Sequence, residues 1–89
     1  MKLLAAQTAF TQTELNLGKA TAVAVYADVK SVIKVVSATD GSEGGTGGTV
    51  VGSITVPEKS LTVIHKDGDQ FLLADSTSGT YTKVADGIV

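Results

Sequence analysis

Residues 19–27 read KATAVAVYA, and they carry the clearest two-residue alternation in the chain. In a β-strand, Val23 and Val25 would point to one face, while the intervening Ala residues and Tyr26 would point to the other. Both faces are small or apolar, which is typical of a strand that is covered on both sides. Alanine also favours helix, so a helix is the competing interpretation of this stretch. Residues 16–18 (NLG), just before it, are expected to form a turn.

Several later segments show the same alternation of β-branched residues, and clusters of Gly, Pro, Asp and Ser separate them. The further predicted strands are residues 31–38, 50–56, 61–66, 71–74 and 80–85. From residue 50 onward, strands and turns recur at the spacing of roughly 8–12 residues that is typical of antiparallel sandwiches and small barrels. We therefore predict an all-β fold, a small antiparallel β-sandwich or barrel of six to seven strands, with one helical turn near residues 12–15.

The chain has 89 residues and a mass of 9.0 kDa, which is the size of one domain. We expect residues 1–18 to form an extended N-terminal arm and turn, and residues 19–89 to form a single β domain. Twelve Val, twelve Thr and ten Ala stand against two Phe, two Tyr and no Trp, so the core must be built from small side chains. A thin core of this kind barely offsets the conformational entropy lost on folding. We therefore expect contact with a partner surface to add to the stability of the domain.

The charged and sulfur-containing residues exclude several classes of protein. The absence of Cys excludes disulfide scaffolds and thiolate zinc sites, and a single histidine, His65, cannot build an imidazole-rich metal site. The chain has no Arg and a net charge of −2, so no nucleic acid partner is expected. No apolar run approaches the roughly 20 residues of a membrane helix, and the run after Lys2 ends at Gln7, too soon for a signal peptide. We therefore expect no membrane partner and no cofactor.

Three groups of residues have the residue types of a metal site, a phosphate-binding loop or a catalytic triad, and each group is also compatible with an ordinary turn or strand. Residues 67–69 (DGD) with Asp75 could offer oxygen ligands to Ca²⁺, but their spacing lacks the EF-hand pattern and fits a tight turn. The glycine-rich residues 41–48 lack the Lys-Ser/Thr ending and the helix of a phosphate loop. Ser60 and His65 with an Asp supply the residue types of a hydrolytic triad, yet the alternation places His65 on an apolar strand face. We predict that the protein is not an enzyme and holds no metal.

Apolar residues are in surplus for so small a chain. They make up 43% of the sequence, the mean hydropathy is +0.25, and several predicted strands are apolar on both faces. In a compact sandwich each sheet would cover only the inner face of the other, and this is the alternative that needs no partner. Large exposed apolar patches usually mark protein partners, so we expect association.

The order of several segments resembles that of a known group of proteins. Residues 10–18 (FTQTELNLG) lead into the Ala/Val strand, and residues 52–57 (GSITVP), 61–66 (LTVIHK) and 81–85 (YTKVA) follow. In this order and style the chain resembles the short Thr/Val/Ala-rich virion structural proteins of tailed bacteriophages. The resemblance implies a non-enzymatic protein of the virion, and the small β-rich members of this size include capsid decoration (cement) proteins.

A decoration protein would lie on the capsid surface with the major capsid protein as its partner, and the resemblance implies a homo-oligomer, with a trimer favoured. The expected mechanism is strand addition, in which the N-terminal arm pairs with an open sheet edge of the capsid protein. Leu3, Leu4 and Phe10 would anchor this arm. The alternative function is a neck, tail or fibre module of the virion that contacts other tail proteins or the host surface.

Overall fold

The computed structural model describes residues 2–37 and 43–85, and these residues form two antiparallel β-sheets without a helix. The predicted all-β fold is therefore confirmed. The described residues contain eight strands: β1 (Lys2–Leu3), β2 (Thr8–Ala9), β3 (Ala22–Ala27), β4 (Ser31–Val36), β5 (Val50–Val56), β6 (Ser60–His65), β7 (Phe71–Ala74) and β8 (Gly79–Ala85). The six longer strands, β3 to β8, are the six that the alternation predicts, and β1 and β2 are two-residue strands in the expected arm.

The strands are divided between two sheets that pack as a sandwich. The first sheet has the order β1-β8-β3-β6, and β2 also pairs with β8. The second sheet has the order β5-β4-β7. Inside the first sheet, Val25 of β3 lies opposite Tyr81 on one side and Thr62 on the other. The chain crosses from one sheet to the other at residues 28–30, 57–59, 66–70 and 75–78, so among the six longer strands only β4 and β5 are consecutive strands of the same sheet.

β3 is a strand rather than the helix that its alanines also permit, because both of its faces are buried in a sheet. Val23 and Val25 point into the main core between the sheets. On the opposite face, small alanine side chains fit into a second cluster that consists of Ala22, Ala24, Val84 and the half-buried Val63. Tertiary packing thus overrides the helix propensity of alanine.

The main core lies between the two sheets and is made largely of small aliphatic side chains. Its buried members are Phe10, Ala20, Val23, Val25, Ala27, Ile33, Val56, Ile64, Leu72, Ala74 and Tyr81. The total exposed surface of 4832 Å² matches the area of about 4,850 Å² expected for a compact monomer of this mass. The single chain is therefore as compact as an ordinary monomer of this mass, and any sign of a partner must come from the chemistry of its surface.

The N-terminal segment is part of the sandwich. β1 and β2 both pair with β8, with Leu3 opposite Val84. Further along, Leu15 and Leu72 exchange two backbone hydrogen bonds of 2.9 Å, which tie the segment to β7 in the other sheet. Residues 2–15 therefore run along one side of the sandwich and are paired with strands of both sheets.

Residues 12–15 do not form the predicted helical turn. Gln12 has a φ of 57°, in the left-handed region, and its side-chain amide donates to the Asp75 carbonyl at 2.9 Å. Leu15 makes its bridge to the second sheet only three residues later. The local helix signal was wrong because hydrogen bonds to a distant part of the chain fix this backbone.

Candidate interaction surfaces

The residues with the chemistry of a hydrolytic triad are kept apart. Ser60 lies opposite Ala27 and His65 lies opposite Ala22, at the two ends of β6. Five positions along a strand correspond to roughly 17 Å. Ser60 Oγ donates to the Pro57 carbonyl at 3.0 Å, as a turn residue does. These two side chains therefore do not meet in a triad.

The acidic residues considered for a cation belong to two separate turns. The Asp67 amide donates to Gln70 Oε1 at 2.8 Å, and the Gln70 amide donates to the Asp67 carbonyl at 3.0 Å, which closes the predicted turn. Asp75 Oδ1 instead accepts the Val32 amide at 3.0 Å, beside β4. Within residues 2–37 and 43–85, no group of three or more His, Asp or Glu side chains comes together as a metal site.

Two carboxylates hold the described part of the glycine-rich segment. Glu14 is fully buried, and its Oε2 accepts the Gly48 amide at 2.8 Å. The Gly44 amide donates to the Glu14 carbonyl at 2.7 Å, and the Glu43 carboxylate accepts a backbone amide from the N-terminal segment in return. Hydrogen bonds of Glu14 and Glu43 thus hold the loop against the N-terminal segment, a role for which neither glutamate carries a local sequence signal. Residues 38–42 of the predicted strand end and loop lie outside the described residues.

Two lysines hold the turn that precedes β3. Residues 17–19 all lie in the left-handed region, with φ values of 65°, 64° and 60°. This conformation costs a non-glycine residue about 1 kcal/mol or more, so something must hold it. Lys83 Nζ donates to the Gly18 carbonyl at 2.9 Å, and Lys66 Nζ donates to the Ala20 carbonyl at 2.6 Å. The two ammonium groups therefore bind the carbonyl oxygens that the turn exposes.

Lys66 is a buried cation with a structural role. Burial lowers the pKa of its ammonium below the usual 10.5, and the nearby Lys83 lowers it further. The carboxylates of Asp69, Glu43 and Asp67 act in the opposite direction. The hydrogen bond of the ammonium to a turn carbonyl satisfies it inside the protein, as a buried charge requires.

The outward side of the first sheet is uncharged and carries exposed apolar side chains; we call it the outer face. The register places these residues on it: Leu3, Ala22, Ala24, Tyr26, Leu61, Val63, His65, Thr80, Thr82 and Val84. None of them is Lys, Asp or Glu. Leu3 is 67% exposed, Leu61 56% and Tyr26 37%. The outer face is therefore a surface without Lys, Asp or Glu on which Leu3, Tyr26 and Leu61 are exposed for contact.

The side of the sandwich away from the N-terminal segment forms a second surface, which we call the open side. Here β5 and β6 are both edge strands, and no strand among the described residues covers their outer edges. An apolar groove of about 270 Å³ lies between them, lined by Ile33, Val35, Gly52, Ser53, Ile54, Thr62, Val63 and Ile64. Val51 is 60% exposed and Ile54 47%. The open side thus combines unpaired backbone edges with an entrance to the apolar core.

The three predicted arm anchors have different surroundings. Leu3 is exposed on the outer face, and Leu4 is exposed at a pocket of about 320 Å³ that it shares with Lys83. Phe10 is only 3% exposed and packs in the main core, where its ring centroid lies 4.7 Å from that of Tyr81. Phe10 is therefore a core residue of this domain and offers no surface to a partner.

Tyr81 is buried beside Phe10, and its hydroxyl has no hydrogen-bond partner in the part of the chain that the structure describes. Burial raises the pKa of the phenol well above its usual 10.0. At neutral pH the hydroxyl therefore lowers the free energy of unfolding, because it is an unpaired polar atom in the core. At alkaline pH the free energy of unfolding falls further, because the phenol ionises readily in the unfolded chain but not in the folded state.

We expect Tyr81→Phe to raise the free energy of unfolding at pH 7 by about 1 kcal/mol, because it removes this unpaired polar atom. Above about pH 10 the unfolded wild-type chain releases the phenol proton, so wild-type stability falls and the advantage of Tyr81→Phe grows toward pH 11. Urea unfolding at both pH values measures the difference, with the exposed Tyr26→Phe as the control. A Tyr81→Phe variant that is no more stable than wild type at pH 7 would contradict this prediction.

Comparisons of the chain with protein-family models, with curated proteins and with solved structures find no match. None of the described residues forms a helix of the length and apolar content needed to cross a membrane. The outer face and the open side are therefore the features on which a functional argument can rest.

Proposed function

We propose that this chain is a non-enzymatic virion structural protein of a tailed bacteriophage, a capsid decoration protein that binds the outer shell and stabilises contacts between major capsid subunits. The sequence resemblance to short phage virion proteins supports this proposal. The structural observation that carries it is the outer face, which exposes Leu3, Tyr26 and Leu61 without a single Lys, Asp or Glu. A surface of this kind is suited to a protein partner rather than to a charged ligand.

The outer face is suited to binding a rigid assembly. It lies on a sheet whose central strand, β3, is paired on both sides, so little conformational entropy is lost when it is covered. Leu3 and Leu61 are both more than half exposed, so the full burial of either side chain would contribute up to about 1–2 kcal/mol to the free energy of binding. A protein that binds only the assembled shell shifts the equilibrium toward that shell, which is how cementing would operate.

The N-terminal segment contributes to this surface in a different way from the strand addition that the sequence suggests. β1 and β2 already pair with β8, so the backbone groups that face β8 are engaged within the domain. Leu3 instead presents its side chain at one border of the outer face, and Leu4 follows it at the neighbouring pocket. We therefore retain Leu3 and Leu4 as partner-binding residues and assign the contact to side chains.

Co-sedimentation of the purified protein with capsid shells that lack it tests this proposal. Leu3→Asp and Thr82→Asp place a carboxylate on the outer face and should each weaken binding at least ten-fold, because a charge would have to lose its water in the contact. Thr55→Asp is the matched control, since Thr55 lies opposite Val32 on the outward side of the other sheet and is exposed. Equal binding by all three variants and wild type would overturn the proposed contact.

A further inference from the structure

His65 is the single histidine of the chain, and it lies on the outer face. It is exposed at the end of β6, opposite Ala22 of β3. Ala22 packs in one cluster with Val84, and Val84 lies opposite the exposed Leu3 of β1. Because β1 and β6 are the two border strands of this sheet, a partner that covers the outer face from Leu3 to β6 also covers the imidazole of His65.

The outer face has one side chain whose charge changes near neutral pH. The register places no Lys, Asp or Glu on this face, and its other ionisable group, the phenol of Tyr26, belongs to a class that ionises only in alkaline solution. Histidine is the side chain whose charge ordinarily changes between pH 5 and 8. The outer face is therefore uncharged in mildly alkaline solution and carries one positive charge, on His65, in mildly acidic solution.

The charged groups of the elements around His65 do not lie on the outer face. They occupy the turns beside β3 and β6, or strand positions that alternate with those of the outer face. Among the described residues they are Lys2, Lys19, Lys66, Asp67, Asp69 and Lys83. The ammonium groups of Lys66 and Lys83 donate to carbonyl oxygens of the turn before β3, and the carboxylates of Asp67 and Asp69 act on that of Lys66. The register therefore sets no carboxylate beside His65 within the covered face.

We propose that His65 makes the binding of the outer face dependent on pH, so that the face binds its protein partner with a neutral imidazole and releases it when the imidazole is protonated. This inference rests on the proposed function, because it concerns the contact that the outer face makes with the shell. A neutral imidazole can be covered at low cost, whereas an imidazolium must lose its water, which disfavours the complex. By linkage, acid weakens the binding of the partner to the same extent that the partner opposes the uptake of the proton.

Co-sedimentation with shells that lack the protein tests this inference when it is carried out at pH 7.5 and at pH 5.5. The wild-type protein should bind about five-fold to ten-fold more weakly at pH 5.5, the range that the titration of an ordinary histidine allows. His65→Gln keeps a neutral side chain and should bind equally at both pH values. His65→Lys carries a permanent charge and should bind weakly at both. His65 is exposed, so both variants should fold, and far-UV circular dichroism at each pH verifies this.

The possible failures of this experiment can be told apart. Wild-type binding that is unchanged or stronger at pH 5.5 would overturn the inference and leave the proposed function standing. The same would follow if His65→Gln lost as much affinity in acid as wild type, because the dependence would then come from the shell. A wild-type protein that binds the shells at neither pH would overturn the proposed function, and this inference with it.

A second variant moves the imidazole to another place on the same face. Thr82 lies opposite Ala24 of β3, near the centre of the outer face. Thr82→His in the His65→Gln background should therefore restore the dependence on pH, because a charge at the centre of a covered face must also lose its water. If this double variant bound equally at pH 7.5 and pH 5.5, protonation of the outer face would not control binding and the inference would be wrong.

Discussion

Replacing Gly79 by Ala should destabilise the domain by about 3 kcal/mol or more, at the upper end of the range for overpacking. Gly79 lies at the start of β8, opposite Ala27, and the Phe10 ring packs directly over it. A β-carbon at this position would overlap the edge of that ring and would lie 2.5 Å from the Tyr26 carbonyl oxygen. The ring could move only by leaving the core, and the carbonyl belongs to a central strand, so neither neighbour can yield at low cost.

Urea unfolding followed by far-UV circular dichroism measures this loss, and Gly52→Ala is the matched control. Both glycines lie in strands, but a β-carbon at Gly52 meets open space, so the control should be neutral or slightly stabilising. A loss below about 1 kcal/mol for Gly79→Ala would show that Phe10 packs against β8 less closely than in this structure.

Phe10→Ala should cost about 3–5 kcal/mol, the usual range for removing a large buried aromatic ring. The ring is buried in the main core and contacts both Tyr81 and Gly79, so its removal leaves a cavity at the point where the N-terminal segment joins the sandwich. Such a loss is a large part of the stability of a small domain, so we expect this variant to be partly unfolded at 37 °C.

Leu4→Ala is the control for this substitution, because Leu4 precedes Phe10 in the same segment but is exposed. It should change the free energy of unfolding by less than about 0.5 kcal/mol. If Phe10→Ala were as mild as Leu4→Ala, the N-terminal segment would be a detachable arm, as the sequence suggests, and not a part of the core.

The strands could be predicted from the sequence because their signal is local. Alternation with a period of two assigns residues to faces before any partner strand is known, and this placed His65 with Leu61 and Val63, as the register of β6 confirms. The same alternation placed Lys66 on the side of Ile64, which was a signal that its ammonium would be buried. Alternation alone does not reveal the partner of the ammonium, because the carbonyl that accepts its hydrogen bond lies in a distant turn.

The role of the N-terminal segment could not be predicted in this way, because it depends on contacts between distant parts of the chain. Phe10 and Leu3 look alike as apolar residues before the first long strand, yet one fits over Gly79 and the other lies at a sheet border. The sequence around Glu14 contains no local pattern that predicts its hydrogen bond to the glycine-rich segment. The open side likewise depends on strand order, since alternation does not say which strands are edges.

Quantitative mass spectrometry of purified virions tests the proposed function most directly, by counting copies of this chain against the major capsid protein. A protein that cements the shell must be present across the lattice, so we predict a count comparable to that of the capsid protein. A count that suffices only for a single ring would favour the neck, tail or fibre alternative. Virions that lack the chain altogether would contradict the account.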